Sequence, residues 1–202
     1  MIALTFDDGP NEPYTRQILD VLAEYGAKAT FFVIGKWVRK APEIVREIAS
    51  AGHEVGNHSE THPQMGQLSQ DECLAEWGAC DRALLDAFSY NPYQQLRQQL
   101  RLGPHRCPFG DVPAHHPLGW HTSWDIHGGD WAAESVESIT EPIFKYLDAH
   151  KGGIVLLHDG YYKEFGADRS KTVEATRRIL ERYKGEKFVT IEEYQQCLTH
   201  CA

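Results

Sequence analysis

No apolar run in these 202 residues approaches the ~20 needed to span a bilayer. Positive charge is also short: 20 Lys and Arg stand against 29 Asp and Glu, a formal net charge of -9. That balance disfavours nucleic acid and anionic lipid as partners. Cysteine is sparse, with Cys73, Cys80, Cys107, Cys197 and Cys201 forming an odd set that contains no CxxC pair. A disulfide framework is therefore not expected, and the thiols read as buried or spare. No leader-like segment precedes the first strand-like run. A cytoplasmic location is expected if Met1 is the native start, and an extracellular or cell-envelope one if a signal peptide has been trimmed. Histidine is not sparse. Eleven of them in a chain this short bring metal and proton chemistry into view.

Apolar, β-prone runs alternate with helical patterns along most of the chain. IALTF (2–6), ATFFVIG (29–35), HEVGN (53–57), HTSWDI (121–126), GIVLLHD (153–159) and KFVTI (187–191) read as strands. Between them lie helical patterns over 14–25, from Pro42 to Gly52, and over 69–88, 135–150 and 170–183. Ser69 with Glu72 and Thr190 with Glu193 have capping-box spacing, and Pro142 predicts a bend in its helix. With one more strand near 104–109 the count reaches seven strand–helix units. Continuous apolar runs imply strands buried on both faces, hence a parallel α/β sheet. A closed barrel and a doubly wound sheet both satisfy that pattern. Either places its chemistry at the C-terminal ends of the strands.

The polar residues cluster at those ends. LTFDDGP (4–10) closes the first strand with Asp7 and Asp8, two adjacent carboxylates that repel one another unless something offsets their charge. HSETHP (58–63) places His58 and His62 at i and i+4, which in a helical turn points both imidazoles toward one metal ion. Asp8 supplies a third ligand, and Asp/His/His leaves coordination positions open, as catalysis requires. Asp7, not needed as a ligand, is then free to accept a proton. His158, at the end of LLHD (156–159), has the pKa range of a general acid, and Asp130 of HGGDW (127–131) can orient it. Arg106 of RCPFGD (106–111) can pair with a catalytic carboxylate. Each motif also has an ordinary reading, as a turn pair, a core histidine or a surface arginine.

In this order, TFDDGP, HSETHP, RCPFG, the DW at 130–131 and LLHD resemble the five motifs of the polysaccharide deacetylases, the NodB-homology group of carbohydrate esterase family 4. The resemblance runs from Thr5 to Asp159 and implies a single-domain, distorted (β/α)7 barrel over residues 1–202. It implies Asp7 as catalytic base held by Arg106, and Asp8, His58 and His62 as ligands of one divalent ion, Zn2+ or another such as Co2+. It implies His158 as general acid oriented by Asp130. The backbone N–H of Phe109 would help stabilise the oxyanion, and Trp131 and Leu156 would wall the acetyl pocket.

The implied activity is hydrolysis of N-acetyl groups on GlcNAc-containing polymers or oligomers of the chitin or peptidoglycan type, by a monomer. O-deacetylation of acetylated xylan, or carbohydrate binding by a catalytically impaired relative, are the alternatives. Trp37, Trp120, Trp124, Tyr161 and Tyr162 are candidate sugar platforms. Residues 89–120 depart from the family pattern, carrying five of the ten prolines and a single acidic residue, Asp111.

Overall fold

The computed structural model describes residues 1–89, 102–108 and 122–200. Six parallel strands form the sheet: β1 (Ile2–Gly9), β2 (Ala29–Val33), β3 (Glu54–Asn57), β4 (Leu102–His105), β5 (Ile126–His127) and β6 (Gly153–His158). Their spatial order is β4-β3-β2-β1-β6-β5, the circular order of a β/α barrel left open between β4 and β5 among the described residues. All eight residues of β1 and all five of β2 are buried, which accounts for their unbroken apolar character.

Helices cover the sheet. They are α1 (Tyr14–Glu24), α2 (Gly35–Lys40), α3 (Pro42–Ser50), α4 (Gln70–Ala87), α5 (Val136–His150), α6 (Ser170–Arg182) and α7 (Ile191–His200). Each of the longer ones buries one stripe: Ile18, Val21 and Leu22 from α1, Ile44, Val45 and Ile48 from α3, Ile179 and Leu180 from α6. These meet Leu4, Phe6, Phe31 and Val155 in the main core, where Phe6 and Phe31 stack at 5.0 Å. Pro42 occupies the first turn of α3, where its missing N–H costs nothing. Both capping boxes form, at Ser69/Glu72 and at Thr190/Glu193. The start of α7 is also tied to the sheet, because the Glu54 carboxylate accepts from the Ile191 and Glu192 N–H groups.

Three local expectations fail for identifiable reasons. The run 29–35 ends as a strand at Val33, since Gly35 begins a short helix packed so closely that a Cβ would lie 2.1 Å from the Glu60 carboxylate. The strand expected over 121–126 shrinks to Ile126–His127. Before it, the Asp125 side chain takes the Ile154 N–H at 2.7 Å, a bond the strand backbone would otherwise make. The last strand, 187–191, is reduced to one parallel bridge, Ile2 with Phe188. The seventh unit of the barrel is therefore vestigial. No described helix is long and apolar enough to cross a membrane.

Candidate active site

Adjacent residues of a regular strand point to opposite faces, yet Asp7 and Asp8 both face one cleft. The sheet register explains this. Asp7 pairs with Phe32 and Gly9 with Val33, so Asp8 is an extra residue bulged out of β1, with φ of 72°. A bulge with its first residue in the left-handed region turns the chain and re-aims a side chain. The following turn is crowded, since a Cβ on Gly160 would lie 2.1 Å from the Asp8 carbonyl oxygen.

His58 and His62 reach the same point by a different route from the one the spacing predicts. Residues 58–63 are a loop, not a helical turn, with φ of 68° at Ser59 and 64° at His62. Side chains from α4 hold it. Glu76 accepts from the N–H groups of Glu60 and Thr61 and from the Thr61 hydroxyl, at 2.8–3.0 Å. Ser59 Oγ accepts the His62 N–H at 3.0 Å.

Asp8, His58 and His62, all buried, place their candidate ligand atoms within 4.8 Å of one another. His58 Nδ1 lies 2.7 Å from the Arg106 carbonyl oxygen. A carbonyl only accepts, so Nδ1 carries the proton and the Nε2 lone pair is left facing Asp8 Oδ1, 3.5 Å away. His62 Nε2 approaches the same oxygen to 3.2 Å, and that oxygen is buried with no hydrogen-bond partner among the described residues. Burial first, then the neighbouring His58, pushes His62 down to about 2, so it is neutral with a lone pair available. Burial pushes Asp8 up to about 6 in the absence of a cation. Two imidazole nitrogens and an orphaned carboxylate oxygen fit a divalent metal ion.

Asp7 sits beside them, its Oδ2 3.7 Å from His58 Nε2. Arg106 is fully buried and donates through Nη1 to Asp7 Oδ1 at 3.0 Å and to the Thr5 hydroxyl at 2.7 Å. Nε and Nη2 are bound to the carbonyls of Thr122 and Ser123, and the guanidinium lies 4.1 Å over the Phe32 ring. Burial raises the Asp7 carboxyl above its ordinary range against the opposing pull of Arg106.

Across the cleft, Asp130 Oδ1 accepts from His158 Nδ1 at 2.9 Å, while Oδ2 takes the His158 N–H and the Thr172 hydroxyl, each at 2.8 Å. Burial alone would lower His158, but the Asp130 charge and hydrogen bond, reinforced by Asp8 and Asp7, carry it up to about 9. With Nδ1 committed to Asp130, Nε2 is the nitrogen left to exchange a proton. The edge of Trp131 meets His158 at 5.2 Å, and Trp131 and Leu156 both line the cleft, whose volume is about 840 Å³. Phe109 and Trp120 lie outside the described residues.

A family description of polysaccharide deacetylases matches residues 1–115. The chain belongs to the polysaccharide deacetylase family. It is 38% identical over 200 residues to a peptidoglycan-N-acetylglucosamine deacetylase of Bacillus cereus, covering 96% of this chain and 87% of that one. A chitooligosaccharide deacetylase of Bradyrhizobium sp. is 37% identical over 183 residues, 88% of this chain and 77% of its own. Among solved structures, the peptidoglycan deacetylase PdaC of Bacillus subtilis superposes with a TM-score of 0.81 at 28% identity, covering 99% and 92%.

Sequence reasoning missed several residues that shape this deacetylase site. Thr5 and Thr172 share the hydrogen bonding of Arg106 and Asp130, and Asn11 ties the turn after β1 to the loop after β6 through the Asp159 and Ala167 carbonyls and the Gly166 N–H. Thr5 opens TFDDGP, but nothing in that motif marks its hydroxyl as a partner of Arg106, and an isolated Thr or Asn elsewhere carries no motif. Asp159, the last residue of LLHD, faces away from the chemistry: it accepts from the Thr15 hydroxyl at 2.5 Å, and its buried Oδ1 has no hydrogen-bond partner among the described residues. Burial foremost, then Asp8, pushes it up to about 7.

A carboxyl group whose folded pKa exceeds its unfolded value stabilises most below the unfolded pKa, and that contribution is lost as pH rises through the folded one. Metal-free wild type is therefore expected to lose stability between about pH 4 and 7 on account of Asp159. Asp159→Asn is expected to lack that component. Denaturant midpoints of the chelated proteins at pH 5 and pH 8 check it: the variant gains on wild type at pH 8.

Proposed function

We propose that this chain is a divalent-metal-dependent N-deacetylase of GlcNAc-containing glycans. The observation that carries the reading is the pairing of Asp7, locked on Arg106, with the Asp8/His58/His62 cluster on one side of the cleft and the Asp130-oriented His158 on the other. The names of the relatives, peptidoglycan-N-acetylglucosamine and chitooligosaccharide deacetylases, support the substrate class. One carboxylate oxygen and two imidazoles suit Zn2+, with Co2+ as a workable substitute.

A bound divalent ion would supply Lewis acidity toward the acetyl carbonyl and lower the pKa of water. Asp7 takes the proton of the attacking water, a task favoured by the raised basicity that burial gives its carboxylate. Arg106 keeps that carboxylate from rotating away. An amide nitrogen leaves badly unless protonated, and His158 Nε2, on the opposite wall, delivers that proton as the C–N bond breaks. Trp131 and Leu156, which line the cleft with His158, are the apolar walls available to the acetyl methyl group.

The alkaline limb of the rate profile follows from His158. The acid must be protonated, so kcat/KM falls as pH rises through its pKa. Asp130→Asn removes the largest influence raising that pKa, and the limb is expected to move to lower pH. A pH–kcat/KM profile of the two proteins checks the shift, and an unmoved limb would remove His158 from the acid role.

The function itself is tested by acetate release from chitin oligomers, peptidoglycan and acetylxylan, with and without chelator. Release from an N-acetylated substrate that chelator abolishes and added Zn2+ restores is expected. Release from acetylxylan alone would make the enzyme an esterase, and no release from any substrate with metal present would leave a binding protein.

A further inference from the structure

The sequence leaves Trp37 open as a sugar platform or as an ordinary core or surface aromatic. Its indole N–H has a definite partner. Trp37 lies in α2, half-buried, with its ring 5.6 Å from Phe165 and its Nε1 donating to the Tyr161 carbonyl oxygen at 3.2 Å. The Tyr161–Tyr162 segment it holds lines the same cleft as Asp8, His58 and His62.

The next side chain of α2 acts on the same two residues. Lys36 Nζ donates to the Tyr162 carbonyl at 2.5 Å while lying 4.6 Å over the Trp37 ring. The Tyr162 ring in turn stacks on His62, with centroids 4.4 Å apart and planes inclined by 17°. Through that ring the 161–162 segment touches one of the three clustered ligands, and α2 holds the segment by two consecutive carbonyls.

We propose that Trp37 is a positioning residue for the metal site, holding the Tyr161–Tyr162 segment so that the Tyr162 ring stays stacked on His62 and keeps that imidazole in its ligating orientation. The inference rests on the reading of Asp8, His58 and His62 as metal ligands. It predicts a division within α2: the indole N–H matters for the metal, whereas the ring face does not matter for the glycan. Loss of a partner that holds a metal ligand in its orientation typically weakens binding by about 10–100-fold. The Tyr161 carbonyl is close enough to solvent to find water instead, so the lower end, about tenfold, is expected here.

Trp37→Phe keeps an aromatic ring and removes the N–H, and its Zn2+ affinity is to be measured by chelator competition beside wild type. The expected result is about tenfold weaker binding, an altered absorption spectrum of the Co2+-substituted protein, an unchanged thermal midpoint of the metal-free protein, and an unchanged KM at saturating metal. Lys36→Met, which leaves the core untouched, is expected to weaken binding in the same direction and carries the test if Trp37→Phe does not fold. Wild-type Zn2+ affinity in the variant together with a raised KM would overturn the proposal and make Trp37 a sugar platform. Unchanged affinity with a lowered metal-free midpoint would overturn it in favour of a packing role. A wild-type protein that binds no Zn2+ would overturn the metal-site reading itself, and this inference with it.

Discussion

Asp7→Asn is expected to bind its metal as wild type does and to lose turnover by about 10²–10⁴-fold, the contribution of a positioned general base. Asparagine fits the same space and can still accept from Arg106 through its amide oxygen, so the pocket survives while its proton acceptor does not. The loss should fall on kcat, with substrate affinity retained, since Asp7 is assigned to proton transfer rather than to holding the glycan. Steady-state kinetics and metal analysis on the same preparation check it. Turnover within a few-fold of wild type would assign the base elsewhere.

Arg106→Met is expected to have the largest effect on the fold. Arg106 is 0% exposed, spans from β4 to β1, and satisfies the Asp7 carboxylate, the Thr5 hydroxyl and two backbone carbonyls. Removing it leaves Asp7 as a buried anion without its cation, and breaking such a pair costs about 3–5 kcal/mol. Burial already raises the Asp7 pKa, so the unpaired carboxyl is expected to protonate and to fail as a base at neutral pH. Activity and stability should therefore fall together. Asp7→Asn combined with Arg106→Met should recover part of the stability and none of the activity. Denaturant midpoints of the single and double variants measure the coupling, and additive losses would contradict the ion pair.

Much of this site was legible because its residues are chemically unusual where they stand. Two carboxylates closing an apolar strand, a histidine pair four apart and a histidine ending another buried strand have no routine structural use together, and the structure gathers Asp7, Asp8, His58, His62, Arg106, Asp130 and His158 around one cleft. The sheet was legible for the same kind of reason, since IALTF and GIVLLHD are too apolar to face water.

The rest escaped because it depends on backbone geometry and on partners distant in sequence. The bulge at Asp8 is invisible in LTFDDGP, although it is what lets neighbouring carboxylates share a face. HxxxH suggests a helical turn, but His58 and His62 converge by a loop with left-handed Ser59 and His62, its shape set by Glu76 on α4. The bond from the Trp37 indole to the Tyr161 carbonyl is equally invisible, because composition reveals a ring and not the carbonyl its N–H finds.

Catalysis at this cleft turns on a division of labour between the adjacent carboxylates, and one measurement reaches it most directly: Zn2+ stoichiometry of wild type, Asp7→Asn and Asp8→Ala after chelation and reloading. The expected result is one equivalent for wild type, one for Asp7→Asn and essentially none for Asp8→Ala. Loss of the ion from Asp7→Asn, or its full retention by Asp8→Ala, would contradict that division.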